Sequence, residues 1–377
     1  MTFSAPSADG WVRAQTTGPG AEYPQVHPDG LVRFQLELAT AGDVRVCPGG
    51  APDSGLGAGP LPMTRTDDGV WTVTVGPVPP GLYYYWLEVD GTPVNDPGSR
   101  CYTGHGRAVS AIEVPGPADA TAWYQLADVP HGDVRTRRHH TTGEHAGWRR
   151  SVIYTPPGYD EQPQRRYPVL YLQHGAGEDE TGWVDQGRAD LILDNLIAAG
   201  AAEPMIVVMT DGYAWPRLRR LARSPQRSRT IVDAFEHVLL HDLVPLVDSA
   251  YRTVPDAQHR ALAGLSMGGR QALDIGLSNT EHFGWVGAFS PPPIEDLDPA
   301  TSFRGALADP AGLDAALRLL WVGCGTGEAR FVEWRDRLHG LLADLGVEHE
   351  VFSSEGTAHE WPTWRACLHA FAPLLFR

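Results

Sequence analysis

Long apolar runs are missing from this chain of 377 residues, and with them any candidate membrane-spanning segment. The opening MTFSAPSADG has neither a basic n-region nor an apolar core, so no secretory signal is visible. A cytoplasmic location is the expectation, secretion applying only if a signal was trimmed. Cysteine is scarce: Cys47, Cys101, Cys324 and Cys367 show no C-x-x-C spacing, which excludes a zinc ribbon or a vicinal redox pair and leaves reduced thiols as the expected state. Basic charge is also short. With 30 basic against 46 acidic residues the net charge is −16, which argues against nucleic acid or an anionic membrane as partner. Small molecules and neutral polymers remain as ligands, and no internal repeat or low-complexity tract is present.

What is there has two textures. Residues 31–114 hold short β-rich segments (LVRFQLEL, DVRVC, GVWTVTVG, LYYYWLEVDG, AVSAIEV) separated by Gly/Pro/Asp turns, the spacing of a small β-sandwich. From about residue 150, apolar runs such as YPVLYLQHG, MIVVMT, RALAGLS and WVGAFS alternate with helical stretches such as RADLILDNLIAAG. That alternation predicts a mostly parallel sheet flanked by helices. The predicted domains are 1–114 and 130–377, joined by a linker over 115–129, with an antiparallel hairpin opening the second domain.

The strongest chemical signal is ALAGLSMGGRQAL, which carries Gly264-Leu265-Ser266-Met267-Gly268 at a strand-to-helix junction. A G-x-S-x-G turn there is tight enough to need glycines on both sides of the serine. It presents the hydroxyl beside the N–H groups of a helix N-terminus, the arrangement of an α/β-hydrolase nucleophile. YLQHGAG at another strand end supplies the second oxyanion candidate, so Ala176 is paired with Met267 as the N–H donors. A serine needs a base and an orienting acid, which on this fold follow in that chain order as acid, then histidine. His359, in SSEGTAHEWPTW, falls after the last strand-like run.

The acid is sought in LRLLWVGCGTGEARF, where Gly323, Gly325 and Gly327 resemble the first motif of S-adenosylmethionine-dependent methyltransferases. Only 50 residues follow Gly327, too few for the alternating sheet such a cofactor fold requires. Read instead as the loop after the penultimate strand, the turn offers Glu328 as the triad acid, with Asp296, Asp298 and Glu333 as fallbacks. No metal and no cofactor is expected. His237 and His241 have the i, i+4 spacing of a zinc pair, but no Glu follows His237, and Val238-Leu239-Leu240 between them suits packing on a sheet. His139 and His140 are expected to be solvated. Trp183, Tyr213, Trp215 and Trp361 are candidate aromatic walls of a substrate site, and the basic run 218–229 is a solvated loop or a lid.

YLQHGAGEDETGW, YRTVPDAQHRALAGLSMGG and GTAHEWPTWRACLHAFAPLLF together resemble the esterase group of α/β-hydrolases. That group includes feruloyl and acetylxylan esterases of carbohydrate esterase family 1 and, more distantly, enterochelin esterases, esterase D and mycolyltransferases. MTRTDDGVWTVTVGPVPPGLYYYWLEVDGTPVNDP resembles an immunoglobulin-like early-set module similar to carbohydrate-binding module family 48. The resemblance implies an α/β-hydrolase fold preceded by a small immunoglobulin-like β-sandwich, and cleavage of hydroxycinnamoyl or acetyl esters of carbohydrates. It matches Ser266 to the family nucleophile and His359 to its base, with Glu328 where Asp is more usual. Trp71, Tyr83, Tyr84, Tyr85 and Trp86 become candidates for stacking on sugar or for the core of the sandwich. Esterases of siderophores or other secondary metabolites, acyltransferases with the same triad, and a glycan-binding protein with an idle hydrolase domain stay open. So does the oligomeric state, a homodimer included.

Overall fold

In the computed structural model the described residues are 9–49, 55–57, 59–143, 146–214 and 225–377, with the side chains of 225–229 excepted. The chain divides into two compact units, Met1–Ala122 and Trp123–Arg377, and the division falls inside the segment 115–129. Among the described residues, the first unit is built of two antiparallel sheets. Strand alternation turns Val32 and Phe34 of one sheet, and Val44, Val46, Tyr85, Leu87, Ile112 and Val114 of the other, into a shared core. Phe34 meets Tyr85 edge to face, with ring centroids 4.8 Å apart. Trp71, Tyr83 and Tyr85 are buried in this core, which leaves only Tyr84 and Trp86 of the five aromatics outside it.

The second unit carries eight strands, here β1 (Asp133–Thr141), β2 (Gly147–Thr155), β3 (Val169–Gln173), β4 (Ile206–Thr210), β5 (Arg260–Leu265), β6 (Trp285–Phe289), β7 (Leu319–Gly325) and β8 (Glu350–Ser354). They form one sheet in the order β1-β2-β4-β3-β5-β6-β7-β8. The first two form the expected hairpin, β2 joins β4 antiparallel, and the remaining neighbours are parallel. Every residue of β3, β4, β5 and β6 is buried, as in parallel strands covered on both faces. The cover is made by helices α1 (Ala189–Ala198), α2 (Pro225–His237), α3 (Met267–Gly276), α4 (Ala329–Leu345) and α5 (Trp361–Phe371).

Register fixes where the chemistry can sit. Gln173 pairs with Gly264, Leu265 with Phe289, Phe289 with Gly323, and Gly325 with Ser354. The carboxyl ends of β3, β5, β6, β7 and β8 therefore open onto one edge, the edge at which open α/β sheets place their sites.

One sequence expectation changes here. His139 is not solvated: on β1 it points to the face that packs against the π-helical turn Val238–Leu243, and it is buried with neither ring nitrogen hydrogen-bonded. Burial and then the Arg149 cation push its pKa down, so the ring is kept neutral. Its neighbour His140 is exposed. The π-turn itself precedes Pro245, which has no N–H to give to the carbonyl four residues back; widening the helix lets Val244 donate to Leu239 instead. His237 and His241 lie on this stretch with ring centroids 4.7 Å apart, and among the described residues no group of three or more His, Cys, Asp or Glu could hold a metal. No helix among the described residues is long and apolar enough to cross a membrane.

The hairpin is tied to the body by Asp194 of α1. Its buried carboxylate accepts from Tyr154 Oη (2.7 Å), from the Gly132 N–H (2.9 Å) and from His131 Nδ1 (2.8 Å). Asp194→Ala leaves the buried Tyr154 hydroxyl unpaired and should destabilise the protein by about 1–3 kcal/mol, read as a lowered midpoint in chemical denaturation. An unchanged midpoint would show that the hairpin does not depend on this carboxylate.

Candidate active site

Ser266 follows β5 directly and precedes α3. Its backbone is held at φ +48, ψ −114, a left-handed conformation that a non-glycine residue adopts only under constraint. The flanking glycines explain how the turn closes. A Cβ on Gly264 would lie 2.6 Å from the Gly268 carbonyl carbon, and one on Gly268 would lie 2.7 Å from the backbone oxygens of both Gln173 and His174. The Ser266 N–H is anchored on the Phe289 carbonyl (2.7 Å), which leaves the side chain half-exposed at the sheet edge.

His359 and Glu328 arrive from two other strand ends. The Ser266 hydroxyl lies 3.0 Å from His359 Nε2, and His359 Nδ1 lies 2.6 Å from Glu328 Oε1. A proton on Nδ1, donated to the carboxylate, leaves Nε2 free to accept from the serine. Phe331 stacks on the imidazole (centroids 4.6 Å, planes 27°), and Trp364 meets it edge-on at 5.2 Å. The ring is therefore oriented by packing as well as by hydrogen bonds.

Glu328 is buried and fully engaged. Its Oε2 accepts from the Gly325 N–H (2.6 Å) and from Ser290 Oγ (2.7 Å), while Oε1 faces His359. Standing at the N-cap of α4, the carboxylate also lies at the positive end of that helix. Beneath it, burial pushes the Cys367 thiol up and holds Cys324 up at about 11, which keeps both protonated and unreactive. Among the described residues, none of the fallback acids Asp296, Asp298 and Glu333 is hydrogen-bonded or ion-paired to His359.

The glycine turn has a steric purpose. A Cβ on Gly325 would come within 2.2 Å of the Thr357 carbonyl oxygen, and one on Gly327 within 3.0 Å. The chain carrying His359 passes over this turn, and the Gly327 N–H holds it through the Thr357 carbonyl (2.9 Å).

The loop after β3 is equally constrained. His174 Nδ1 lies 2.8 Å from the Gly175 carbonyl and its Nε2 lies 2.9 Å from the Gly212 nitrogen; burial pushes the ring's pKa down, but Asp211 Oδ1, 3.5 Å from Nε2, more than offsets this and the net direction is up. The Gly175 N–H goes to Glu178 Oε2 (3.0 Å) and the Gly177 N–H to Tyr213 Oη (2.9 Å). Between them, Ala176 is exposed, and among the described residues its N–H makes no hydrogen bond. A Cβ on Gly175 would sit 3.5 Å from Ser266 Cβ, so this loop borders the serine. Met267, at the first position of α3, has no intrahelical acceptor for its N–H.

The expected aromatic walls are corrected. Trp183 and Trp361 are each 1% exposed and pack edge to face at 5.5 Å, with Trp183 also donating from Nε1 to the Gln173 carbonyl (2.8 Å). Both support the strand ends from below and present no surface to a ligand. Tyr213 is buried too, its hydroxyl holding Gly177. Trp215 and 218–224 lie outside the described residues, and 225–229 begin α2. Ser290 was missed by sequence reasoning; its one signal is that it ends the apolar strand before Pro291.

The fold and this serine–histidine–carboxylate alignment define a serine-hydrolase-like α/β protein. Residues 144–374 match the family model described as "Putative esterase", and the chain belongs to that esterase family. Among relatives, an endo-1,4-beta-xylanase/feruloyl esterase of Xylanibacter ruminicola is 38% identical over 366 residues, which is 95% of this chain and 46% of that protein. This chain spans less than half the length of the curated relatives it matches. A CE1 ferulic acid esterase from Anaeromyces mucronatus, solved with ferulic acid, is 26% identical with a TM-score of 0.58, covering 67% of this chain and 93% of that one. The enterobactin esterase of Shigella flexneri shares the fold at 18% identity with a TM-score of 0.63, covering 91% of this chain and 92% of its own.

Gly268→Val is expected to force the Ser266 turn open against the Gln173 and His174 carbonyls, at a cost of about 1–3 kcal/mol. Thermal unfolding reads this directly, and an unshifted transition would mean that the turn tolerates a side chain there.

Proposed function

We propose that the protein is a serine carboxylic ester hydrolase acting on hydroxycinnamoyl or acetyl esters of carbohydrates. One observation carries the reading: the continuous hydrogen-bonded line from Ser266 Oγ through His359 to Glu328. Ser266 Oγ attacks the ester carbonyl while His359 Nε2 takes its proton. The negative charge that develops on the carbonyl oxygen is met by the N–H groups of Met267 and Ala176, which among the described residues have no protein acceptor to give up. Collapse of the tetrahedral species expels the alcohol, which receives its proton from His359. Water then attacks the acyl-enzyme by the same route and releases the acid. Glu328 keeps the imidazole in the tautomer that accepts at Nε2 and offsets the charge it acquires.

The sugar-ester preference is supported by the 38% identity to a xylanase/feruloyl esterase over 95% of this chain. In the first unit, Tyr84 and Trp86 are the remaining candidates for contact with glycan in a carbohydrate-binding-module-like role. A second reading, an esterase of a siderophore-type ester, is favoured by the fold likeness to an enterobactin esterase across 91% of the chain. Turnover of methyl ferulate, acetylated xylan and a catecholate siderophore ester, compared side by side, separates the two, and product analysis with an added acceptor alcohol detects acyl transfer.

Ser266→Ala should reduce p-nitrophenyl acetate hydrolysis to background, a fall of at least about 10^4-fold, and Glu328→Ala should cost roughly 10^3-fold. Full activity in either variant would remove that residue from the mechanism.

A further inference from the structure

Ser290 is the second non-glycine residue of this edge held in a left-handed backbone, with φ +45 directly after β6. Ser266, the first, follows the neighbouring strand, and their preceding residues Leu265 and Phe289 are paired in the ladder. Each therefore leaves the sheet at the same level with its side chain turned aside by a strained backbone. Ser266 turns toward His359, and Ser290 turns toward Glu328. Ser290 is completely buried, its N–H is fixed on the Gly323 carbonyl (2.7 Å), and its hydroxyl donates to Glu328 Oε2 at 2.7 Å. A serine at positive φ costs about 1–2 kcal/mol that glycine would avoid. Such strain persists where surrounding structure over-determines it and often marks a functional requirement.

We propose that Ser290 is a positioning residue that acts through Glu328; this rests on the reading of Glu328 as the triad acid. A glutamate has one more rotatable bond than aspartate, so its carboxylate needs a further restraint to present a single oxygen to the histidine. Two donors supply it. The Gly325 N–H and the Ser290 hydroxyl both hold Oε2, which leaves Oε1 as the oxygen facing His359 Nδ1. Removing the hydroxyl leaves one restraint, lets the carboxylate rotate, and lowers the fraction of molecules with the imidazole aligned on Ser266. The loss falls on kcat, because Ser290 lies behind the acid and away from the ester.

The test uses Ser290→Ala and Ser290→Gly in the full chain with a p-nitrophenyl ester as substrate. Both variants should lose kcat by about tenfold with KM changed less than twofold, while Ser290→Gly, freed of backbone strain, should melt no lower than wild type. Activity lost without stability is the signature that a merely structural serine would not give. In a double-mutant cycle, Ser290→Ala added to Glu328→Gln should cost less than twofold further, because both act on one carboxylate. Retention of full kcat by Ser290→Gly, or a full additional loss in the Glu328→Gln background, would overturn the proposal. If Glu328→Gln alone kept wild-type activity, the assignment of the acid would fail instead, and the two failures are distinguishable.

Discussion

The 3.0 Å contact between Ser266 Oγ and His359 Nε2 joins residues 93 positions apart, and most of the second unit serves to make that contact possible. It requires a serine forced out of ordinary backbone space at the end of β5 and a loop after β8 that reaches back over β7. It also requires a register that ends these strands at one level. The parallel ladder supplies the level, and buried glycines supply the clearances. Replacing any of Gly264, Gly268 or Gly325 would put a Cβ within 2.6 to 2.7 Å, or closer, of a backbone atom in the layer above or below. The site is thus a consequence of close backbone approach at several strand ends, with side-chain chemistry added at the last step.

The position of Glu328 follows from the same geometry. Glu328 begins α4 and folds back toward the end of its own strand, where a backbone N–H and the Ser290 hydroxyl receive one oxygen and His359 the other. The longer side chain spans the turn that the glycines have narrowed. A glycine-rich loop that reads as a cofactor cradle when taken alone is, in its place in the sheet, the channel through which the histidine loop crosses.

Legibility of the sequence tracked how local each feature is. Ser266 and its glycines lie within five residues, so the strand–turn–helix reading needed no tertiary information. The placement of His359 and Glu328 at two strand ends was legible from order along the chain, because each follows a particular strand. The parallel strands announced themselves as continuous apolar runs and the first unit as short alternating ones. What failed depended on which face a side chain takes. Trp183 and Trp361 sit on helical turns near the site, yet their rings turn inward onto each other, and His139 alternates onto a covered face of an edge hairpin. Ser290 was invisible because its significance lies in a positive φ and in a pairing with a residue 38 positions away. Neither is a property of composition or spacing.

The central claim is that Ser266 is the nucleophile of an esterase activated by His359. The most direct measurement is covalent labelling with a fluorophosphonate, followed by mass spectrometry of the digested protein. The expected result is a single phosphonyl adduct on the peptide that carries Gly264-Leu265-Ser266-Met267-Gly268, with labelling slowed sharply in His359→Ala. An adduct on another serine, or a wild-type enzyme that hydrolyses esters and is left unlabelled at Ser266, would contradict it.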